Sequence, residues 1–367
     1  MFDFLDVDME TSAMLDEARR DGITLFGAGG FARAVYSALR EFGVQVRSFV
    51  VSGPSADMID TVPVVSLAEL DDALLALPMW LAVFNRNSAS DLVTLANVCK
   101  ARGITHPRLP QEYFEIIASR MGWRYWLTDR KQYAAKRLQI EKAFHRLGDD
   151  ESRQQFLETL RFRLGISTDK MPIPSNTLQY FPDQLVTGLV SSERGVVFVD
   201  GGAYDGDTLM QAATQFPIAA AYAFEPDSVN FRKLVQNTKG RNFPVISFPC
   251  GLSNMTEWLS FSSESSEASA VIPDGNTRIQ CVRLDECLVG QRVDYIKLDV
   301  EGHELAALEG ARVIIDRYRP ALAIAAYHRW DDIWRIPEFL QCHVPDYRII
   351  YRMHEYNTFD SIFYATC

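Results

Sequence analysis

A strand, a glycine turn and a helix follow one another twice in this sequence. They stand at ITLF-GAGGFARAVYSALREFG (residues 23–43) and at VVFVD-GGAYDGDTLMQAATQF (residues 196–216). A short β-type run that gives way to glycines and then to a 3.6-residue apolar period opens a parallel α/β layer, because parallel neighbours need a helical crossover. Two such openings in 367 residues predict two doubly wound domains joined by other structure.

In the first copy Gly27, Gly29 and Ala32 fit G-x-G-x-x-G/A, and Gly43 closes the helix. VQVRSFVVS, TVPVVSLAEL and MWLAVF continue the alternation, and a last helix is expected over residues 91–102. This gives a Rossmann-like N-terminal domain at residues 1–117. Residues 118–190 read as a helical connector, charged and helix-periodic until Pro172, Pro174 and Pro182 interrupt it. Residues 191–367 form the second α/β domain, with further strands expected at AAAYAFE, FPVISFPC, VDYIKLD and PALAIAAYH. The last stretch, YRIIYRMHEYNTFDSIFYAT, alternates like a β-hairpin, so the second sheet is expected to be mixed.

The second glycine turn carries the chemistry. It holds Asp200, Asp205 and Asp207 and no Lys or Arg. A pyrophosphate at a helix N-terminus wants positive potential, so this turn repels one and suits a cation. S-adenosylmethionine meets that demand, with a sulfonium, an α-ammonium, a ribose and no phosphate. Its expected contacts in and beside the turn are Asp200, Gly201, Gly202, Tyr204 and Asp207. Glu225 and Pro226 follow at the end of the next strand, where an acid accepts from the two ribose hydroxyls. The next block, YIKLDVEGHELAALEGA, places Asp299 at a strand end and Glu301, Gly302, His303 and Glu304 at the start of a helix. His328 closes the strand ALAIAAYH on the same edge. A carboxylate there can take the proton of an attacking hydroxyl, and His303 reads equally as base, ligand or hydrogen-bond donor. Asp299, Glu301 and His328 together can hold a divalent ion such as magnesium or calcium, or form a hydrogen-bonded cluster without one.

FVDGGAYDGDT, AFEPD and IKLDVEGHELAALEGA, in that order, resemble the FkbM family of S-adenosylmethionine-dependent methyltransferases. The stretch LSNMTEWLSFSSESSEASAV is similar to that family's segment between the second and third blocks. The resemblance covers residues 175–367. It implies a class I methyltransferase-like fold and methyl transfer to a hydroxyl oxygen of a sugar, polysaccharide precursor or secondary metabolite. By position it puts Asp200, Gly202 and Asp207 in the cofactor loop and Glu225 on the ribose. It puts Asp299, Glu301 and His303 on the reaction side, and Ser253 near the adenine or methionine part. The first copy resembles the nucleotide-sugar-binding domain of PglD-type sugar N-acyltransferases. It has Arg33 beside the turn but Ser52-Gly53-Pro54-Ser55, without acids, after its second strand. A structural or dimerising module, a nucleotide-sugar or phosphate site and an NAD(P) site remain open for it. An NAD(P)-dependent oxidoreductase built on that turn and a non-catalytic binding protein are the competing functions.

The formal net charge of −11 excludes a generic nucleic-acid binder. The longest apolar run, Ala73 to Phe84, contains Pro78 and is too short for membrane insertion. The N-terminus opens acidic, unlike a signal peptide, and the six cysteines form no C-x-x-C pair; both point to a reducing cytoplasm. The expected partner is a small-molecule or glycan acceptor, free or nucleotide-linked, with a second copy of the chain as a further candidate.

Overall fold

The computed structural model describes residues 2–6, 11–55, 57–122, 124–166, 172–262, 270–271 and 277–367. The chain divides into two compact units. Unit 1 is Met1–Glu141, Gln154–Pro174 and Glu355–Phe359; unit 2 is Lys142–Arg153, Ser175–His354 and Asp360–Cys367. The helices of residues 118–190 are thus shared between the two units.

Unit 1 is built on β1 (Ile23–Phe26), β2 (Val46–Val51), β3 (Met58–Ile59), β4 (Val62–Ser66) and β5 (Met79–Leu81), in the order β3-β4-β2-β1-β5. All neighbours are parallel except β3 and β4. Every residue of β1 is buried, as a central strand covered on both faces requires. The following helix, Gly30–Glu41, buries Ala32, Val35, Tyr36, Ala38 and Leu39, the three-and-four spacing of one face. Gly27 joins them at φ +124°, where a Cβ would stand 2.6 Å from the Ala82 carbonyl oxygen.

Unit 2 holds β6 (Val196–Gly201), β7 (Ile218–Phe224), β8 (Val245–Phe248), β9 (Gly251–Leu252), β10 (Glu257–Ser262), β11 (Ala270–Val271), β12 (Thr277–Val282), β13 (Tyr295–Leu298), β14 (Ala321–Ala325), β15 (Arg348–Met353) and β16 (Ser361–Thr366). Seven of these make one sheet in the order β15-β16-β14-β13-β6-β7-β8. It is parallel through β14, and β15 and β16 close it as the antiparallel hairpin that the alternating C-terminal sequence encodes. Its core gathers Phe181, Phe198, Phe216 and Tyr295, whose ring centroids lie 5.6 to 6.4 Å apart. A small second sheet runs β11-β10-β12-β9. Residues 263–269, the serine-rich part of the segment likened above to the FkbM family, lie outside the described residues.

The central strand β6 has β13 on one side and β7 on the other, so chain order reverses around it. In open α/β sheets that switch point is where ligands bind, beyond the strand carboxyl ends. Asp200 and Gly201 end β6, Glu225 follows β7, Asp299 follows β13 and His328 stands three residues after β14.

Candidate cofactor and acceptor site

The turn after β6 is shaped by its glycines and by a tyrosine. Gly202 has φ +74°, and a Cβ there would overlap the Asp299 carbonyl oxygen. The residue is therefore required by the approach of two backbones, and it sets the turn directly against the end of β13. Gly206, at φ +89°, opens the helix Asp207–Gln215. Tyr204 stands between them at φ +48° with its ring exposed. Its N–H donates to Glu225 Oε2 at 2.9 Å, and the Asp227 N–H donates to Oε1 at 2.8 Å. Glu225 is 6% exposed, and burial pushes its carboxyl up to about 7 although both N–H groups favour the anion. Pro226, half-buried, follows it.

The three turn carboxylates do different things. Asp207 is exposed and accepts the Thr208 N–H at 2.7 Å, while Asp205 accepts the Asp207 N–H at 3.3 Å. Asp200 is fully buried beneath the turn and paired with Lys297 Nζ at 3.0 Å. The turn that looked free of cations in the linear sequence thus rests on one, supplied by the neighbouring strand. Ser253 is buried immediately after β9, where its hydroxyl donates to Glu257 Oε1 at 2.9 Å and its N–H to the Val282 carbonyl.

On the acceptor side Asp299 is the meeting point. Tyr180 Oη donates to its Oδ2 at 2.6 Å and Tyr327 Oη to its Oδ1 at 3.3 Å. His328 Nε2 lies 3.4 Å from both Asp299 Oδ1 and Glu301 Oε2. The other ring nitrogen, Nδ1, meets Glu304 Oε1 at 2.8 Å. Burial opposes charge on this ring, but Glu304, Glu301 and Asp299 outweigh it and push His328 up to about 10. At neutral pH it is an imidazolium locked among carboxylates. Glu304, fully buried, also accepts the Val300 N–H at 2.9 Å and so ties the His328 ring to the loop after β13. Asp332 accepts the Arg329 N–H at 2.8 Å, and burial with the charge of Glu304 raises it to about 8. Ligand atoms of Asp299, Glu304 and His328 all lie within 4.8 Å of one another, a spacing that can take a metal ion.

Asp299, Glu301 and His328 therefore converge, whereas His303 precedes the helix Glu304–Gly310 as its N-cap. Burial lowers the His303 imidazole pKa, so that ring is neutral. Tyr180, Lys297 and Tyr327 are absent from the sequence reading, and Glu304 stands in it only as a residue that opens the helix after β13. Of these only Lys297 carries a linear signal, a lone cation inside the apolar run Tyr295–Leu298 that must find a buried partner.

A mainly parallel sheet with this switch point and a strand-end acid, closed by an antiparallel hairpin, has the Rossmann-like methyltransferase type of α/β fold. The crystal structure of Methyltransferase FkbM from Methylobacillus flagellatus KT shares that fold with a TM-score of 0.73 at 22% identity, covering 99% of this chain and 96% of its own. Residues 200–358 match the Methyltransferase FkbM domain. The Hexuronic acid methyltransferase AglP of Haloferax volcanii is 30% identical over 128 residues, 33% of this chain and 52% of the relative. The chain thus spans about half the length of that curated relative. Among the described residues, no helix is long and apolar enough to cross a membrane.

Proposed function

We propose that this chain transfers a methyl group from S-adenosylmethionine to an oxygen of a sugar or sugar-acid acceptor. Glu225 carries the reading. It is a buried strand-end carboxylate, aligned by two backbone N–H groups and joined through one of them to the glycine turn. The donor set suits the cofactor: Glu225 for the ribose diol, the exposed Tyr204 ring beside it, and Asp207 at the turn for positive charge. S-adenosylmethionine supplies a methyl group on a sulfonium, already a good leaving group, so the protein's task is positioning and proton removal.

Asp299 takes the proton of an acceptor hydroxyl. Tyr180 and Tyr327 hold its two oxygens, and the His328 imidazolium stands beside it as a fixed cation. Glu301, with its side chain 35% exposed, offers a second carboxylate for orienting acceptor hydroxyls. The name of the Haloferax relative points to hexuronic acids as the first acceptors to try, free and nucleotide-linked. The experiment is transfer of labelled methyl from S-adenosylmethionine to a panel of uronic acids and their UDP-linked forms, alongside calorimetry with S-adenosylhomocysteine. Absence of adenosyl-ligand binding sinks the reading.

A divalent ion at the acceptor-side carboxylates is a second reading, carried by the close approach of Asp299, Glu304 and His328 ligand atoms. It requires His328 to give up its proton. Dialysis against EDTA, then back-titration with magnesium or calcium, tests it; transfer that survives EDTA unchanged excludes the ion.

A further inference from the structure

Lys297 has no part in the chemistry above, yet it sits almost fully buried in the middle of β13, between Ile296 and Leu298. The parallel register sets it beside Asp200, and Leu298 beside Gly201. An ammonium has three N–H groups, and Nζ has three oxygens around it: Gly202 O at 2.6 Å, Asp200 Oδ1 at 3.0 Å and Gly201 O at 3.3 Å. The Tyr180 ring lies 5.3 Å away, within reach of a cation–π contact. Burial works against the charge, but Asp200, Asp299 and Asp207 together outweigh it and keep Lys297 protonated.

The other ends of the same two peptide units are held as well. The N–H groups of Gly202 and Ala203 both donate to the Phe224 carbonyl, each at 3.0 Å. Phe224 is the last residue of β7, immediately before Glu225. Two successive peptide planes are thus clamped, their carbonyls by β13 and their N–H groups by β7. Gly202 at φ +74° is the conformation that lets both carbonyls face one cation.

We propose that Lys297 is a positioning residue for the cofactor: its ammonium fixes the Gly201 and Gly202 carbonyls, so the turn is formed before the ligand arrives. This rests on reading the turn as an S-adenosylmethionine site. Neutralising Asp200 alone is a different role, and two variants of the full chain separate the two. Lys297→Met leaves Asp200 buried without its counter-charge and both carbonyls unheld. Asp200→Asn combined with Lys297→Met removes the stranded charge and still leaves the carbonyls unheld.

Thermal melts and calorimetry with S-adenosylhomocysteine read the difference. Lys297→Met is expected to melt several degrees lower and to bind about tenfold or more weakly. The double variant is expected to regain most of the melting temperature but not the affinity, and it reads the same quantity should the single variant fail to fold. Recovery of affinity in the double variant to within about threefold of wild type shows that Lys297 only neutralises Asp200, and overturns the proposal. Wild-type affinity in Lys297→Met does the same. A wild-type protein that binds no S-adenosylhomocysteine overturns the methyltransferase reading itself, and this inference with it.

Discussion

Glu225 stays protonated over a pH range in which an ordinary glutamate is charged, because burial has lifted its carboxyl to about 7. Two consequences follow from the sign of that shift. The unfolded chain ionises this group near 4.5, so its contribution to stability is fully present below that pH and is lost as pH rises through 7. Ligand binding runs the opposite way. A carboxylate accepts from both ribose hydroxyls only when ionised, so S-adenosylhomocysteine affinity should rise with pH up to about 7 and level off above it, by at most about tenfold per unit for one proton. Calorimetry across that range checks it, and Glu225→Gln should bind weakly with a flat profile; a pH-independent wild type removes Glu225 from the ribose. Asp299 offers a second residue-level test. Asp299→Asn should keep adenosyl-ligand affinity and lose turnover by about a hundredfold or more on a hydroxyl acceptor. A carboxylate acceptor brings no proton to remove, so the same variant should retain most of its rate there. Equal losses on both acceptor types would show that Asp299 orients the acceptor rather than deprotonating it.

The two strand–turn–helix elements look alike in sequence and differ in why their glycines are there. The apolar runs, the glycines and the acids at strand ends are local signals, so β1, β6, β7, β13 and the closing hairpin could be read along the chain, as could the carboxylates at the strand ends. What could not be read is pairing across strands. Lys297 reaches Asp200 because β13 and β6 are in register, and Tyr180 reaches Asp299 from a residue 119 positions earlier. Lys297 marks its own strand as needing a buried partner but not which one, and the Tyr180 contact leaves no mark in either segment alone. The sequence marks Gly202 as part of the cofactor turn, but the Asp299 backbone that it meets is not legible there. Glycine substitutions separate the elements experimentally. Gly202→Ala must resolve an overlap with a carbonyl at positive φ and should destabilise by at least about 2 kcal/mol in urea melts. Gly30→Ala, at the start of the helix after β1 with open space around it, should be neutral or stabilising by up to about 1 kcal/mol. Comparable losses at both sites would mean that the second turn is not held by that backbone contact.

Across the whole molecule the charge of −11 is unevenly spread: residues 1–118 carry −7, residues 119–165 carry +5 and residues 166–367 carry −9. A long polyanion meets net repulsion, while a small anion or a cationic cofactor can each find local complement. Ligand stabilisation asks the whole chain which of its two glycine turns is used. A ligand that binds only the folded protein adds RT ln(1 + [L]/Kd), about 2.7 kcal/mol at a hundredfold excess over Kd. For S-adenosylmethionine and S-adenosylhomocysteine the melting transition should rise by several degrees, and Glu225→Gln should remove the rise. NAD(P)H acts through pyrophosphate, which the acidic second turn repels, so any rise it causes belongs to the turn after β1 and should survive Glu225→Gln. A UDP-sugar that raises the transition in wild type and in Glu225→Gln alike would also belong to that first turn. One that adds to the shift only with S-adenosylhomocysteine present would instead be binding as the acceptor. A rise with NAD(P)H and none with either adenosyl ligand would turn the assignment around and make the first turn the working site.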